Sequence, residues 1–180
     1  TGACGCCGLR ASTDRTGNLY VLYRSAAQIV HRDMYVLTSS DRGQTFSSIK
    51  LDKWEVGQCV MSSASFHLTN DGMLAAWETE HQVKFGPVDR GLPGTLRHAS
   101  APELNQETRK HPVLSVNSKG QVILVWTEGT GWQKGGSVAW QVFDPSGQPI
   151  PDAAGRADGV PVWGLVAVLA GKNGEFTVVY

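Results

Sequence analysis

Four cysteines are the residues with the most evident chemistry in this 180-residue chain. Cys4, Cys6 and Cys7 lie together near the start, and Cys59 stands apart from them. Cysteines pair as disulfides in oxidising compartments, and a bond from Cys59 to one of the other three is easy to build. A second bond within the short group would strain the preferred disulfide geometry. The sequence therefore favours one disulfide, with two further thiols that are free or paired with another part of the protein.

A thiolate metal site is the alternative that the same residues leave open. Sulfur ligands select Cu(I) or Zn(II), and Met61, two residues after Cys59, suits copper better than zinc. His111 is a further candidate ligand because it opens a strand of the next repeat unit. The spacing matches no zinc-finger ligand pattern. Copper is therefore the expected metal, zinc the less favoured one, and reactive thiols remain the third interpretation.

A repeat of short strands must position these side chains. A turn glycine, followed by an apolar strand that ends in an aromatic residue, occurs four times, at spacings of 55, 48 and 54 residues. The glycines are Gly17, Gly72, Gly120 and Gly174, and the strands end at Tyr23, Trp77, Trp126 and Tyr180. Another strand-like run precedes each glycine, so each unit opens with a hairpin. The aromatic residues recur in register, which predicts packing between sheets rather than a catalytic set.

The repeat predicts an all-β fold, because periods of this length with several short strands are typical of β-propellers. Four-stranded antiparallel blades are expected in units of about 8–54, 59–107, 111–157 and 160–180 within a single propeller portion, 1–180. About three and a half blades are then present, which indicates the C-terminal part of a six-bladed propeller completed by earlier blades. A separate subunit closed by another chain and a four-bladed ring are the alternatives.

Equivalent positions in adjacent units carry the cysteines. Cys4 and Cys59 each lie 13 residues before their turn glycine, so the repeat predicts that they meet where neighbouring units enter their innermost strands. The segment 86–107 is the least strand-like and is expected to carry the outer edge of the second blade or a loop over a pocket. The segment 144–159 is expected to be a connector between units.

One turn has a motif of its own. Ser39, Asp41, Gly43, Thr45 and Phe46 spell Ser-x-Asp-x-Gly-x-Thr-aromatic. The short oxygens of Ser39 and Asp41 can accept hydrogen bonds from nearby backbone N–H groups, Gly43 can take a positive φ, and Phe46 is expected to fill apolar space beneath the turn. The motif resembles the Asp box of the sialidase-like, or bacterial neuraminidase repeat, β-propellers. In that family the box lies at the rim, so the resemblance implies an architecture and not an activity.

A wider resemblance covers nearly the whole chain. The Cys-x-Cys-Cys group, the run Arg32-Asp33-Met34-Tyr35 before the box, Cys59, and the pair His111-Pro112 resemble a cysteine-rich group of secreted bacterial sialidase-like propellers. Gly5 and Val60 stand where members of that group often have proline, and the second and third units lack the rim motif. The resemblance implies a secreted or periplasmic protein. The group is commonly labelled exo-sialidase on fold alone, and a fold does not settle chemistry.

The resemblance to sialidases also implies a set of catalytic groups. These are three arginines that bind the substrate carboxylate, a tyrosine nucleophile paired with a glutamate, and an aspartate that acts as the acid. Candidate arginines are Arg10, Arg24, Arg32, Arg97 and Arg109. Glu78 and Glu128 are candidate carboxylates because they follow the second strands of their units. A solvated loop residue or a rim ion pair explains each of them more simply. The sequence thus favours a non-catalytic binding or scaffold module for a glycan or protein ligand, with an exo-glycosidase acting on acidic sugars as the alternative.

Composition excludes several other classes. Sixteen basic and sixteen acidic residues give a net charge of zero, so nothing indicates a nucleic-acid partner or an anionic membrane surface. The sequence has no apolar run of membrane-spanning length, no nucleophile elbow and no phosphate-binding glycine loop. The remaining histidines, expected to be surface or hairpin residues, are His31, His67, His81 and His98.

Overall fold

The computed structural model describes residues 2–88, 99–100 and 106–180, with only the backbone given for 99–100. These residues form β-strands and no α-helix, and within them no helical segment is long and apolar enough to cross a membrane. The strands make three four-stranded antiparallel sheets and one two-stranded antiparallel sheet. The all-β architecture predicted by the repeat is confirmed.

Each four-stranded sheet uses consecutive strands in chain order. The first sheet contains β1 (Arg10–Thr13), β2 (Leu19–Arg24), β3 (Met34–Ser39) and β4 (Ser47–Asp52). The second contains β5 (Ser65–Leu68), β6 (Met73–Thr79), β7 (Gln82–Val88) and β8 (Ala99–Ser100). The third contains β9 (Arg109–Val116), β10 (Val122–Glu128), β11 (Gly136–Phe143) and β12 (Pro149–Val160), and the fourth pairs β13 (Ala167–Ala170) with β14 (Phe176–Val179).

Because neighbouring strands are antiparallel, the two ends of each four-stranded sheet differ in which strands begin and which strands finish there. The first and third strands begin, and the second and fourth strands finish, at one end, which we call the entry end. In the first sheet Arg24 at the end of β2 pairs with Met34 at the start of β3, which in turn pairs with Asp52. Cys4 lies at this end too, because its backbone N–H donates to the Arg24 carbonyl. The motif turn 39–46 joins β3 to β4 at the opposite end.

Apolar side chains pack each sheet face to face against the next sheet along the chain. Along β6, Met73 and Trp77 face the first sheet, whereas Leu74 and Ala76 face the third. A strand alternates its side chains between two faces, so this nearly continuous apolar run covers both sides of a middle sheet. Trp77 and Trp126 are fully buried between sheets, as predicted, whereas Tyr180 is about half exposed.

The motif turn forms the predicted hydrogen bonds. The Asp41 carboxylate accepts from the backbone N–H and the hydroxyl of Thr45, and the Ser39 hydroxyl accepts from the Gly43 N–H. These bonds, led by those from Thr45, lower the pKa of Asp41 to about 2. Phe46 packs next to Gly43 of the turn but is 47% exposed, so it does not fill buried apolar space as predicted.

Two further turns use an aspartate in the same way. The Asp14 carboxylate accepts from the backbone N–H groups of Thr16 and Asn18, and the Asp144 carboxylate accepts from those of Ser146 and Gln148. Both turns follow the pattern Asp-x-Ser/Thr-Gly. Aspartate is therefore a recurrent way of ordering hairpins in this chain.

Replacing Gly43 by alanine is expected to cost more stability than the same change at Gly17. Both glycines have φ of +85°, where an L-residue loses about 1–2 kcal/mol. A Cβ on Gly43 would also lie 3.1 Å from Leu19 Cδ1, whereas a Cβ on Gly17 meets nothing within 4 Å. Chemical denaturation of the two variants measures the difference. Equal losses would show that the packing of Leu19 against the turn contributes nothing.

The segment 144–159 is not the predicted connector, because most of it lies in the twelve-residue strand β12. Proline, glycine and aspartate give this stretch low β propensity. Among the described strands it pairs with β11 alone, at the edge of the third sheet. An edge strand tolerates such residues, whereas a central strand does not.

The segment 86–107 supplies the outer edge of the second sheet as predicted, since Ala99 pairs with Phe85. Residues 89–98 and 101–105, including Arg97 and His98, lie outside the described residues, and so does the loop that was expected to cover a pocket.

Candidate functional site

The four cysteines come together at the entry ends of the first and second sheets. Cys6 and Cys59 form a disulfide, and Cys4 and Cys7 are thiols. All four sulfurs lie within 4.8 Å of one another, with Cys4 Sγ 3.2 Å from Cys6 Sγ. The predicted disulfide is present, and the structure leaves two thiols beside it.

The two thiols are shielded from solvent. Cys4 and Cys7 are buried in a small apolar cluster with Trp54 and Val60, apart from the packing between the main sheet faces. Burial is the largest influence on Cys7 and raises its pKa above the usual thiol value. Cys7 is therefore a neutral thiol at neutral pH when nothing is bound to it.

A buried guanidinium stands next to the thiols. Arg24 lies over the Trp54 ring, 5.1 Å from its centre, and donates to the carbonyls of Arg32 and Glu78 at 2.7 and 2.5 Å. Burial lowers its pKa from the ordinary arginine value, while the charges of Glu78, Cys7 and Cys4 oppose that change. Its Nε has no hydrogen-bond partner within the described part of the chain. Arg24 thus joins the first two sheets and places a positive charge beside the sulfurs.

Glu78 lies inside β6 and is fully buried, so the expectation of a solvated loop residue or rim ion pair was wrong. Within the described residues neither carboxyl oxygen makes a hydrogen bond of normal geometry. Burial raises its pKa to about 7, although Ser62, Lys110 and Arg24 favour the ionised form. Glu78 therefore carries a proton through much of the range in which exposed glutamates are charged.

Glu128, the last residue of β10, forms a buried ion pair instead of a rim pair. Its Oε1 lies 3.1 Å from Arg109 Nε and accepts from the Trp126 indole at 2.9 Å. Arg156 approaches the other oxygen at 3.5 Å. These contacts indicate that Glu128 and Arg109 have a structural role as an ion pair within the third sheet.

A pocket of about 190 Å³ opens next to the disulfide. Its walls include Cys6, Met61, Lys110, His111, Trp132, Lys134 and Trp163. The two tryptophan rings meet edge to face with their centres 4.7 Å apart, and they are 70% and 55% exposed. The sequence reasoning missed both tryptophans because they lie in loops outside the repeat, at 132 and 163. The sequence distinguishes them only in that they do not occupy the aromatic position that ends a strand in each repeat unit.

The predicted additional metal ligands Met61 and His111 line this pocket and are not in the group of four sulfurs. His111 Nδ1 accepts from the Ser63 backbone N–H at 3.2 Å, which leaves Nε2 as the protonated nitrogen of the neutral ring. Burial, with the nearby Lys110 charge, lowers the pKa of His111 to about 4. His111 is therefore a neutral hydrogen-bonding residue of the pocket wall.

The described candidate arginines do not assemble around the pocket. Arg24 and Arg32 are buried, Arg109 contacts Glu128, and the exposed Arg10 donates to the neighbouring Leu9 carbonyl. None of the four lines the pocket, whose cations are lysines.

No protein-family model matches this chain, and no curated protein matches it. Its fold is similar to solved structures of the GH93 α-L-arabinofuranosidase of Fusarium graminearum, one with an iminosugar inhibitor and one with arabinobiose. Each match has a TM-score of 0.60 at 11% identity and covers 95% of this chain but 57% of the enzyme chain. The likeness shows the fold, and the four sheets are blades of a β-propeller.

Proposed function

We propose that this chain is part of an extracytoplasmic β-propeller protein that binds an acidic carbohydrate in the pocket lined by Trp132 and Trp163, and that the whole protein is a glycosidase. The observation that carries the proposal is the composition of that pocket. The Cys6–Cys59 disulfide supports a secreted or periplasmic location, because disulfides persist in oxidising compartments.

The pocket offers the contacts that a charged sugar needs. Exposed indole rings provide rigid apolar surfaces for the C–H faces of a sugar ring, and each indole N–H can donate to a hydroxyl group. Lys110 and Lys134 bring two positive charges to the walls, and no carboxylate lines the described part of the pocket. The charge balance therefore favours an anionic sugar over a neutral or cationic one.

The glycosidase part rests on the fold and on the resemblance to sialidase-like propellers. The enzyme of similar fold was solved with arabinobiose and with an iminosugar. Most glycosidases place two carboxyl groups beside the scissile bond, however, and the described lining contains none. This observation favours a second candidate, a glycan-binding propeller without catalysis, so the test must separate binding from cleavage.

Trp132→Ala is expected to weaken the binding of acidic oligosaccharides about 30-fold, the loss expected when a tryptophan central to a binding site is removed. Trp132→Phe should retain most of the affinity because it keeps an aromatic surface. Calorimetric titration with sialylated and uronic-acid oligosaccharides, matched against their neutral counterparts, measures both effects. Lys134→Met should reduce the preference for the acidic member of each pair.

Ile29→Ala is the matched control, because Ile29 is also an exposed apolar residue, 75% accessible, and is not part of the pocket lining. Equal binding by wild type and Trp132→Ala would contradict the assignment of the pocket. Turnover of fluorogenic sialosides or arabinofuranosides by the whole protein would support the glycosidase. Binding without turnover across the panel would support the second candidate.

A further inference from the structure

We propose that Cys4 and Cys7 bind one Cu(I) ion while the Cys6–Cys59 disulfide remains intact. This site lies outside the proposed carbohydrate contacts, and the two proposals can fail independently. It also narrows the metal site expected from the sequence, in which all four cysteines, Met61 and His111 were candidate ligands.

The oxidation state of the cluster limits the ligand set. The disulfide withdraws Cys6 and Cys59, so two thiols remain to act as anionic sulfur ligands. Structural zinc sites need four protein ligands, whereas soft thiolates select Cu(I), which accepts lower coordination numbers. Two metal–sulfur bonds of about 2.3 Å, the length found for zinc, would span about 4.6 Å in a linear arrangement. The two sulfurs lie within 4.8 Å of each other, an upper limit that is compatible with this span.

Charge supports a monovalent ion at this position. When Cu(I) binds, two S–H bonds break, two Cu–S bonds form, and two protons leave to solvent. The resulting bis-thiolate complex carries a net charge of −1. With Glu78 protonated, the buried Arg24 guanidinium, which interacts electrostatically with both cysteines, brings the sum to zero. A buried charge is stable only when it is compensated, and this pairing compensates both the complex and the arginine.

The hydrogen bonding of Arg24 also points to an anionic occupant. Its Nε is buried without a hydrogen-bond partner in the described structure, although its other two nitrogens donate to carbonyls. An unsatisfied charged donor is costly in a protein interior. Trp54 and Val60 pack around the thiols and limit water access, which would protect Cu(I) from oxidation.

The test is a titration of the non-reduced protein with Cu(I) under argon, in competition with a chromogenic Cu(I) chelator. We expect one Cu(I) per chain, with X-ray absorption showing sulfur neighbours only. Cys4→Ser and Cys7→Ser should each lower the affinity more than about 100-fold, because loss of an outer-shell partner alone costs 10- to 100-fold. Arg24→Gln should lower it about 10-fold. Zn(II) should bind the non-reduced protein far more weakly than Cu(I).

The double variant Cys6→Ser/Cys59→Ser is the matched control, because it removes two sulfurs but keeps the proposed ligands. It should still take up one Cu(I), and near-ultraviolet circular dichroism shows whether each variant is folded. The proposal is overturned if the chelator retains all the copper from wild type, or if folded Cys4→Ser binds as tightly as wild type. A thiol count of zero in the non-reduced protein would also overturn it.

Discussion

Replacing Cys59 by serine is expected to lower the free energy of unfolding by about 4 kcal/mol. The Cys6–Cys59 disulfide links residues 53 positions apart, and a loop of that length loses about this much chain entropy when it is closed in the unfolded state. The bond also joins the entrances of two blades. Urea denaturation of the wild type and the variant under non-reducing conditions measures the difference.

Cys4→Ala is the control, since it removes a buried sulfur of the same cluster without opening the loop. Its loss should be clearly smaller than that of Cys59→Ser. A reducing agent should destabilise wild type to about the level of Cys59→Ser and leave that variant unchanged. If reductant has no effect on the wild-type unfolding midpoint, the disulfide does not contribute to stability.

Glu78 is expected to make the protein less stable as pH rises from about 4.5 to above 7. Its pKa is about 7 in the folded protein and about 4.5 when exposed, so the folded state holds the proton more tightly. The contribution to stability is complete below pH 4.5 and is lost as pH rises through the folded pKa. The full difference is about 3 kcal/mol, at 1.36 kcal/mol for each pH unit.

Glu78→Gln should remove this pH dependence, because glutamine stays neutral and resembles the protonated side chain. The variant should match wild type near pH 4 and be more stable above pH 7, as measured by urea denaturation across that range. Glu128→Gln is the contrasting control. It removes the carboxylate that Arg109 contacts and should destabilise the protein, since breaking a buried pair costs about 3–5 kcal/mol. Wild type and Glu78→Gln with parallel pH profiles would contradict the buried, protonated state of Glu78.

The strands were predictable because their signals are local. Turn glycines such as Gly17 and Gly120 require a positive φ, and apolar runs such as the one ending at Trp77 repeat at blade length. The encounter of Cys4 with Cys59 followed from their equal distance to those glycines. The fourth strand of the third unit, β12, was expected from the four-stranded repeat, but its length was not, because its pairing depends on an available edge of β11 rather than on its own residues.

The chemistry of the site was less predictable because it depends on contacts between blades. The pKa of Glu78 depends on its burial and on the charges of Arg24 and Lys110, which belong to the two neighbouring sheets, and no spacing in the sequence reports these contacts. Trp132 and Trp163 lie 31 residues apart in loops of no regular pattern, and only the folded chain brings their rings together. Residue type identified the cysteines as reactive groups, but the choice of Cys6 as the partner of Cys59 needed coordinates.

Arg24 and the disulfide cross the same junction, between the first and second blades. The disulfide holds the two strand entrances together, and Arg24 donates to carbonyls on both sides of the seam. Two connections at separate points restrict rotation of one blade against the other, whereas a single connection would allow it. Under mechanical tension this pair of blades should therefore detach as a single piece, and rupture should begin at a different seam.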